Sequence, residues 1–158
     1  MAAWQHDYHL IPQAKLMKFY GRIPETTPEK DYNNFQWWAG CPGPAPLEIE
    51  KILPSTTSWS EMVKIWGSDR GDRLSLYYGE DGTLQSVELR VDLRREFPLI
   101  REFVTTLAMY ADLKRWCFCT DELAILMPDY EALAKDMSLS STQEFINSHP
   151  AALDIDHL

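Results

Sequence analysis

The chain is short of positive charge, cysteine, histidine and glycine, and each shortage narrows the functions open to it. Its 158 residues carry 15 Lys and Arg against 24 Asp and Glu, a formal net charge of -9. Proteins that grip a phosphate backbone show a basic patch or a high isoelectric point, so no nucleic-acid partner is expected. An acid excess suits solubility. It also suits a basic protein partner, whose approach it would steer. Three cysteines, an odd number, make no disulfide framework. Four histidines at positions 6, 9, 149 and 157 form no cluster, so no metal is expected. The glycines build no phosphate loop, no Gly-x-Gly-x-x-Gly and no Gly-x-Ser-x-Gly, and there is no His-Glu-x-x-His. No cofactor is therefore expected. No run approaches the roughly 18 apolar residues that span a membrane. The first residues, Met1 to Asp7, lack a basic region followed by an apolar run. A cytoplasmic protein with reduced thiols is the expectation.

What is present predicts one α+β domain over residues 1–158: a mostly antiparallel sheet of four to six strands with helices packed on one side. Residues 6–12 alternate as a short strand. His6 and His9 would then face opposite ways, a poor joint metal site. Ala14 to Met17 reads as a helical turn, and 47–52 as a short helical segment. Ser58-Trp59-Ser60-Glu61 has the form of a capping box. Trp59, Met62, Val63 and Trp66 follow at helical spacing, and Gly67 ends that predicted helix.

Residues 73–78 and 83–94 alternate on either side of Gly79-Glu80-Asp81-Gly82, which predicts a hairpin closed at Asp-Gly. Val87, Leu89, Val91 and Leu93 would face the core, and Glu88, Arg90, Asp92 and Arg94 the other side. A stripe from Phe97 to Ala111 predicts a helix over 96–113, with Pro98 in its first turn. Strands over 116–119 and 123–127 follow, so a strand, a helix and a strand suggest a crossover on one sheet. Cys117 and Cys119 would share a face, as buried thiols or as half of a soft-metal site. Asp129 should cap a helix over 130–137. A further short helix is expected over 142–147, stopped by Pro150, before an acidic tail.

Two features are candidates for binding. Trp37-Trp38 precedes the Pro/Gly-rich run from Gly40 to Pro46; the pair either anchors an interface or covers a core edge. Glu88-Arg90-Asp92-Arg94 is either a solvated ion-pair face or a recognition face whose arginines offer planar donors to a carboxylate or phosphate. Cys41 would be nucleophilic only with a histidine beside it.

The order Leu53-Pro54, Trp59-Ser60, Trp66-Gly67, Gly71-Asp72-Arg73 and Arg90-Val91-Asp92-Leu93-Arg94 resembles a family of small bacterial proteins of unknown function. The resemblance implies a bacterial, cytosolic, single-domain protein and assigns no activity. In size and charge the chain also looks like the small acidic immunity proteins that block toxins. Three functions are therefore carried forward. The first is a non-enzymatic module that binds a protein partner, such as an inhibitor of a basic toxin. The second is a small enzyme with a polar site on the face of Glu88, Arg90, Asp92 and Arg94. The third is a structural or oligomer-forming module.

Overall fold

The alternation of His6, Tyr8 and Leu10 with Asp7, His9 and Ile11 builds the strand on which the fold is centred. The structure is a computed structural model that describes residues 4–140. The chain runs β1 (Gln5–Pro12), α1 (Gln13–Tyr20), α2 (Glu29–Asn34), α3 (Pro46–Ile49), β2 (Ser55–Thr56), β3 (Val63–Gly67), β4 (Arg73–Tyr78) and β5 (Leu84–Asp92). It continues with α4 (Phe97–Lys114), β6 (Trp116–Cys119), β7 (Ile125–Leu126) and α5 (Tyr130–Ser138). The strands form one seven-stranded sheet in the order β2-β3-β4-β5-β1-β6-β7. Every neighbouring pair is antiparallel. Both β5 and β6 run against β1, so they are parallel to each other with β1 between them. The α4 helix makes the crossover that joins them.

Side chains alternate across a strand, and one face is largely apolar, with His6 and Lys64 among its exceptions. Tyr8, Leu10, Leu74, Leu76, Leu89 and Phe118 are buried there, joined by Val87 and Val91. Phe103, Val104, Leu107, Ala108 and Ala111 of α4, and Leu133 and Met137 of α5, complete the same core. Burying each large aliphatic side chain contributes about 1.5–3 kcal/mol. These two helices are the layer on the core face. Tyr32 of α2 instead meets His9, on the opposite face, with ring centroids 5.5 Å apart.

The hairpin forms as its local signals predict. Gly79 N–H donates to Thr83 O, Gly82 takes φ 80°, and Asp81 Oδ1 accepts from Thr83 N–H at 2.9 Å. The long helix has Pro98 in its first turn and ends on Arg115 in the left-handed region. Asp129 caps α5 by accepting from Glu131 N–H. The predicted helix over 142–147 and the acidic tail lie outside the described residues.

Residues 58–67 correct the expectation of a helix. No capping box forms. Ser60 N–H donates to Ser58 Oγ at 3.2 Å and Met62 N–H to Ser60 Oγ at 3.1 Å, so both hydroxyls close short turns instead. Trp59 is 65% exposed and Met62 42%, so the supposed apolar stripe is half solvent. Val63 and Ile65 are β-branched and buried, and they pair with Tyr77 and Ser75 of β4. Gly67, φ 101°, turns the chain out of β3, where a Cβ would strike Asp72 O. This strand and the two-residue β2 at the edge raise the count from the expected four to six strands to seven.

Candidate functional site

Around Arg90 the face opposite the core is polar, made by alternate residues of β1, β4 and β5, while Ile65 on one side and Ile11 and Cys117 on the other are buried apolar residues of the same face. Asp7 lies opposite Arg90, His9 opposite Glu88, and Ser75 of β4 also opposite Glu88. Arg73 lies directly opposite Arg90. Like charges in that position repel, and carboxylates offset them: Arg90 Nε is 3.1 Å from Asp7 Oδ1, and Arg73 Nη1 is 3.4 Å from Asp69 Oδ1. His9 Nε2 stands 3.7 Å from Glu88 Oε1. Burial, and then the charge of Glu88, pushes the Tyr77 phenol up. The hollow above Arg90 holds only about 10 Å³, room for about one water. This part of the face is flat.

Asp92 and Arg94 do not join that face as solvated charges, which corrects one reading of the motif. They are 5% and 9% exposed. The strand ends at Asp92 and the chain turns, folding Arg94 back on its neighbour. Its Nε and Nη2 each donate to Asp92 at 3.0 Å, and Nη2 also donates to Arg70 O at 2.8 Å. The guanidinium lies over the Trp4 ring at 4.1 Å. Asp72 Oδ1 accepts from Asp92 N–H at 2.8 Å, and Asp72 Oδ2 is 2.9 Å from Arg95 Nη2. Burial raises the Asp72 carboxyl, against the lowering effect of that amide and of Arg95. Gly71-Asp72-Arg73 and Arg90 to Arg94 thus meet in space. Their centre ties the loop after β3 to the end of β5, while Glu88 and Arg90 alone remain on the flat face.

Beside that face lies a groove that sequence reasoning missed. The β1–β5 register runs only as far as His9 and Glu88; from His9 onward β1 pairs with β6. Trp38 takes up the divergence, its indole N–H donating to Leu10 O at 3.2 Å. The groove opens there with a volume of about 560 Å³. Tyr32, Phe35 and Trp37 line one wall, and Asp81, Gln85 and Ser86 the other, with His9 between. Burial, then the nearby Cys119, Glu88 and Asp121, push the Tyr32 phenol well up. The carboxamides of Asn33, Asn34 and Gln36 join that of Gln85 in the lining. The signal in the sequence was the run Asn33-Asn34-Phe35-Gln36-Trp37, dense in amides and rings.

The two tryptophans divide between core and groove, and neither is an exposed anchor. Trp38 is 2% exposed and meets Trp116 edge-on at 5.4 Å. Trp37 is 5% exposed, donates to Tyr32 O at 3.1 Å, and presents what remains of its ring to the groove.

The remaining candidates are elsewhere. Cys41, half-buried, lines a second hollow of about 400 Å³ with Lys114 and Arg115, and among the described residues no histidine lines it. Cys117 and Cys119 are buried, and burial pushes both thiols up to about 12. His6 Nε2 is 2.8 Å from Asp136 Oδ2, which also accepts from Tyr8 O–H at 2.6 Å, so this cluster docks α5 on β1. Among the described residues no three His, Cys, Asp or Glu are grouped to hold a metal ion, and no helix is long and apolar enough to cross a membrane. No protein-family model, curated protein or solved structure matches the chain.

Proposed function

We propose that the protein is a non-enzymatic binding module that holds a basic protein partner, as an immunity-type inhibitor holds a basic toxin. One observation carries this reading. Arg90 and Arg94, the donors that would otherwise recognise a substrate carboxylate or phosphate, are already held by Asp7 and Asp92 of the same chain. The acid excess of -9 is what remains for a partner to meet, and the flat sheet face suits a protein surface better than a small molecule. Opposite fields guide encounter before contact. The test is affinity capture from source-cell lysate, then binding kinetics with the captured protein from low to high salt. The association rate should fall steeply as the Debye length shrinks to about 8 Å near physiological ionic strength, with a smaller change in dissociation. An association rate flat in salt would refute the electrostatic part.

The groove favours a second reading, a small enzyme. Its volume of about 560 Å³ falls in the range of about 300–1,000 Å³ for small-molecule sites, and His9, the residue type most used for acid–base work, lines it with Glu88 3.7 Å away. Turnover of a small molecule by the purified protein, lost in His9→Ala, together with a capture that returns no partner, would put this reading first.

A further inference from the structure

We infer that the groove between Tyr32, Trp37 and Gln85 receives an arginine or lysine side chain carried on an extended segment of the basic partner. This rests on the binding reading above and names where that partner's charge goes. Three properties of the lining support it. The first is charge. Among the described residues no Lys or Arg lines the groove, Asp81 does, and Glu88 sits beside His9 at its margin.

The second is the aromatic wall. Phe35 and Trp37 stand 5.4 Å apart at 66°, with Tyr32 next to them. Ring faces attract cations, more strongly when water is excluded. This chain uses that attraction elsewhere: Arg94 over Trp4, Arg95 over Phe103 and Arg101 over Tyr130. Among the described residues no Lys or Arg lies over Tyr32, Phe35 or Trp37; Phe19 packs on Phe35 at 4.1 Å and Trp37 is 5% exposed, so a cation from outside meets the ring surface left on the groove side.

The third is the set of carboxamides. Asn33, Asn34, Gln36 and Gln85 border the same space, and among the described residues none of these side chains has a hydrogen-bond partner. A carboxamide both donates and accepts, which matches the alternating N–H and C=O groups of an extended main chain. Carboxylate, aromatic face and amides together fit a cationic residue presented on a peptide. They oppose a phosphate or a nucleic acid, whose charge the carboxylates repel.

The experiment uses the full chain, labelled with ¹⁵N, and two blocked pentapeptides: Gly-Arg-Gly-Arg-Gly and its counterpart with citrulline for arginine. Citrulline keeps the shape, puts a carbonyl oxygen in place of one guanidinium nitrogen, and removes the charge. The arginine peptide should move the side-chain amide signals of Asn33, Asn34, Gln36 and Gln85 and the Trp37 indole N–H, in a saturable way. The citrulline peptide should bind about ten-fold more weakly or less, as should the arginine peptide to the double variant Asp81→Asn/Glu88→Gln. Both substitutions keep the side-chain shape, and an unchanged urea midpoint shows that the fold survives.

Equal shifts with both peptides would overturn the inference, as would shifts scattered over the acidic surface and missing from the groove. Arginine amide alone binding as tightly as the peptide would make this a small-cation site and overturn the peptide part. The two levels separate cleanly. A captured basic partner whose salt-dependent affinity is untouched in the double variant overturns the inference and leaves the binding reading standing. A capture without any basic partner overturns the reading itself.

Discussion

Replacing Arg94 by methionine asks whether the buried ion network at the end of β5 is what fastens the 68–72 loop to the sheet. Methionine keeps most of the side-chain length and removes the guanidinium. Among the described residues these losses follow. The Asp92 carboxylate, nearly buried, loses the donors at 3.0 Å and keeps the Arg94 backbone N–H at the same distance. The Arg70 carbonyl loses its donor at 2.8 Å. Trp4 loses the cation over its ring. Removing one member of a buried pair costs about 3–5 kcal/mol, chiefly because the other charge is left unpaired. The expected loss is about 4 kcal/mol. With a slope of about 2 kcal/mol per molar, the urea midpoint falls by about 2 M. The double variant Asp92→Asn/Arg94→Met leaves no buried charge alone and should regain about half of that. Asp7→Asn, which breaks the Arg90 pair, whose side chains are 17% and 24% exposed against 8% and 7% for Arg94 and Asp92, should cost less than Arg94→Met. The reasoning fails if Arg94→Met costs no more than Asp7→Asn, or if the double variant is no more stable than the single one.

Three further outcomes are expected. Ser58→Ala should shift stability by less than about 0.5 kcal/mol, as for an ordinary surface turn; a denaturant midpoint showing the loss of about 1 kcal/mol typical of a helix cap would speak against the turn geometry. Burial by itself pushes the Asp136 carboxyl up, but hydrogen bonds from His6 and Tyr8 outweigh it and hold the group below its ordinary value. A depressed native value gives stability that is present above the unfolded value of about 4 and is lost as pH falls through the native one. The gap in unfolding free energy between wild type and Asp136→Asn should therefore be wide near neutral pH and close in acid, and a gap constant with pH would refute the assignment. With a thiol reagent, half-buried Cys41 should react first, while Cys117 and Cys119, buried and raised to about 12, should react only on unfolding; three equal rates in the native protein would contradict the burial.

The elements whose causes are local were legible in the residues alone. Alternation on both sides of Asp81-Gly82 was enough for the hairpin, because a turn and its strands sit within about twenty residues and a register slip would bury charge. The stripe from Phe97 to Ala111 with Pro98 ahead of it was enough for α4, and Asp129 for the start of α5. At Trp59 to Trp66 the same reasoning failed, since helical spacing and strand alternation overlap across Val63 and Trp66. There the pairing of β3 with β4 decided, and it lies beyond the segment itself. The site depends on contacts that no local pattern carries. Arg94 is buried because Asp92, Arg70 and Trp4 converge on it from three parts of the chain. The groove exists because β1 leaves β5 at His9 and Trp38 fills the opening, bringing Tyr32 and Trp37 opposite Gln85. Periodicity reports which way a side chain points; where strands part, and what then faces the gap, depends on contacts between distant residues.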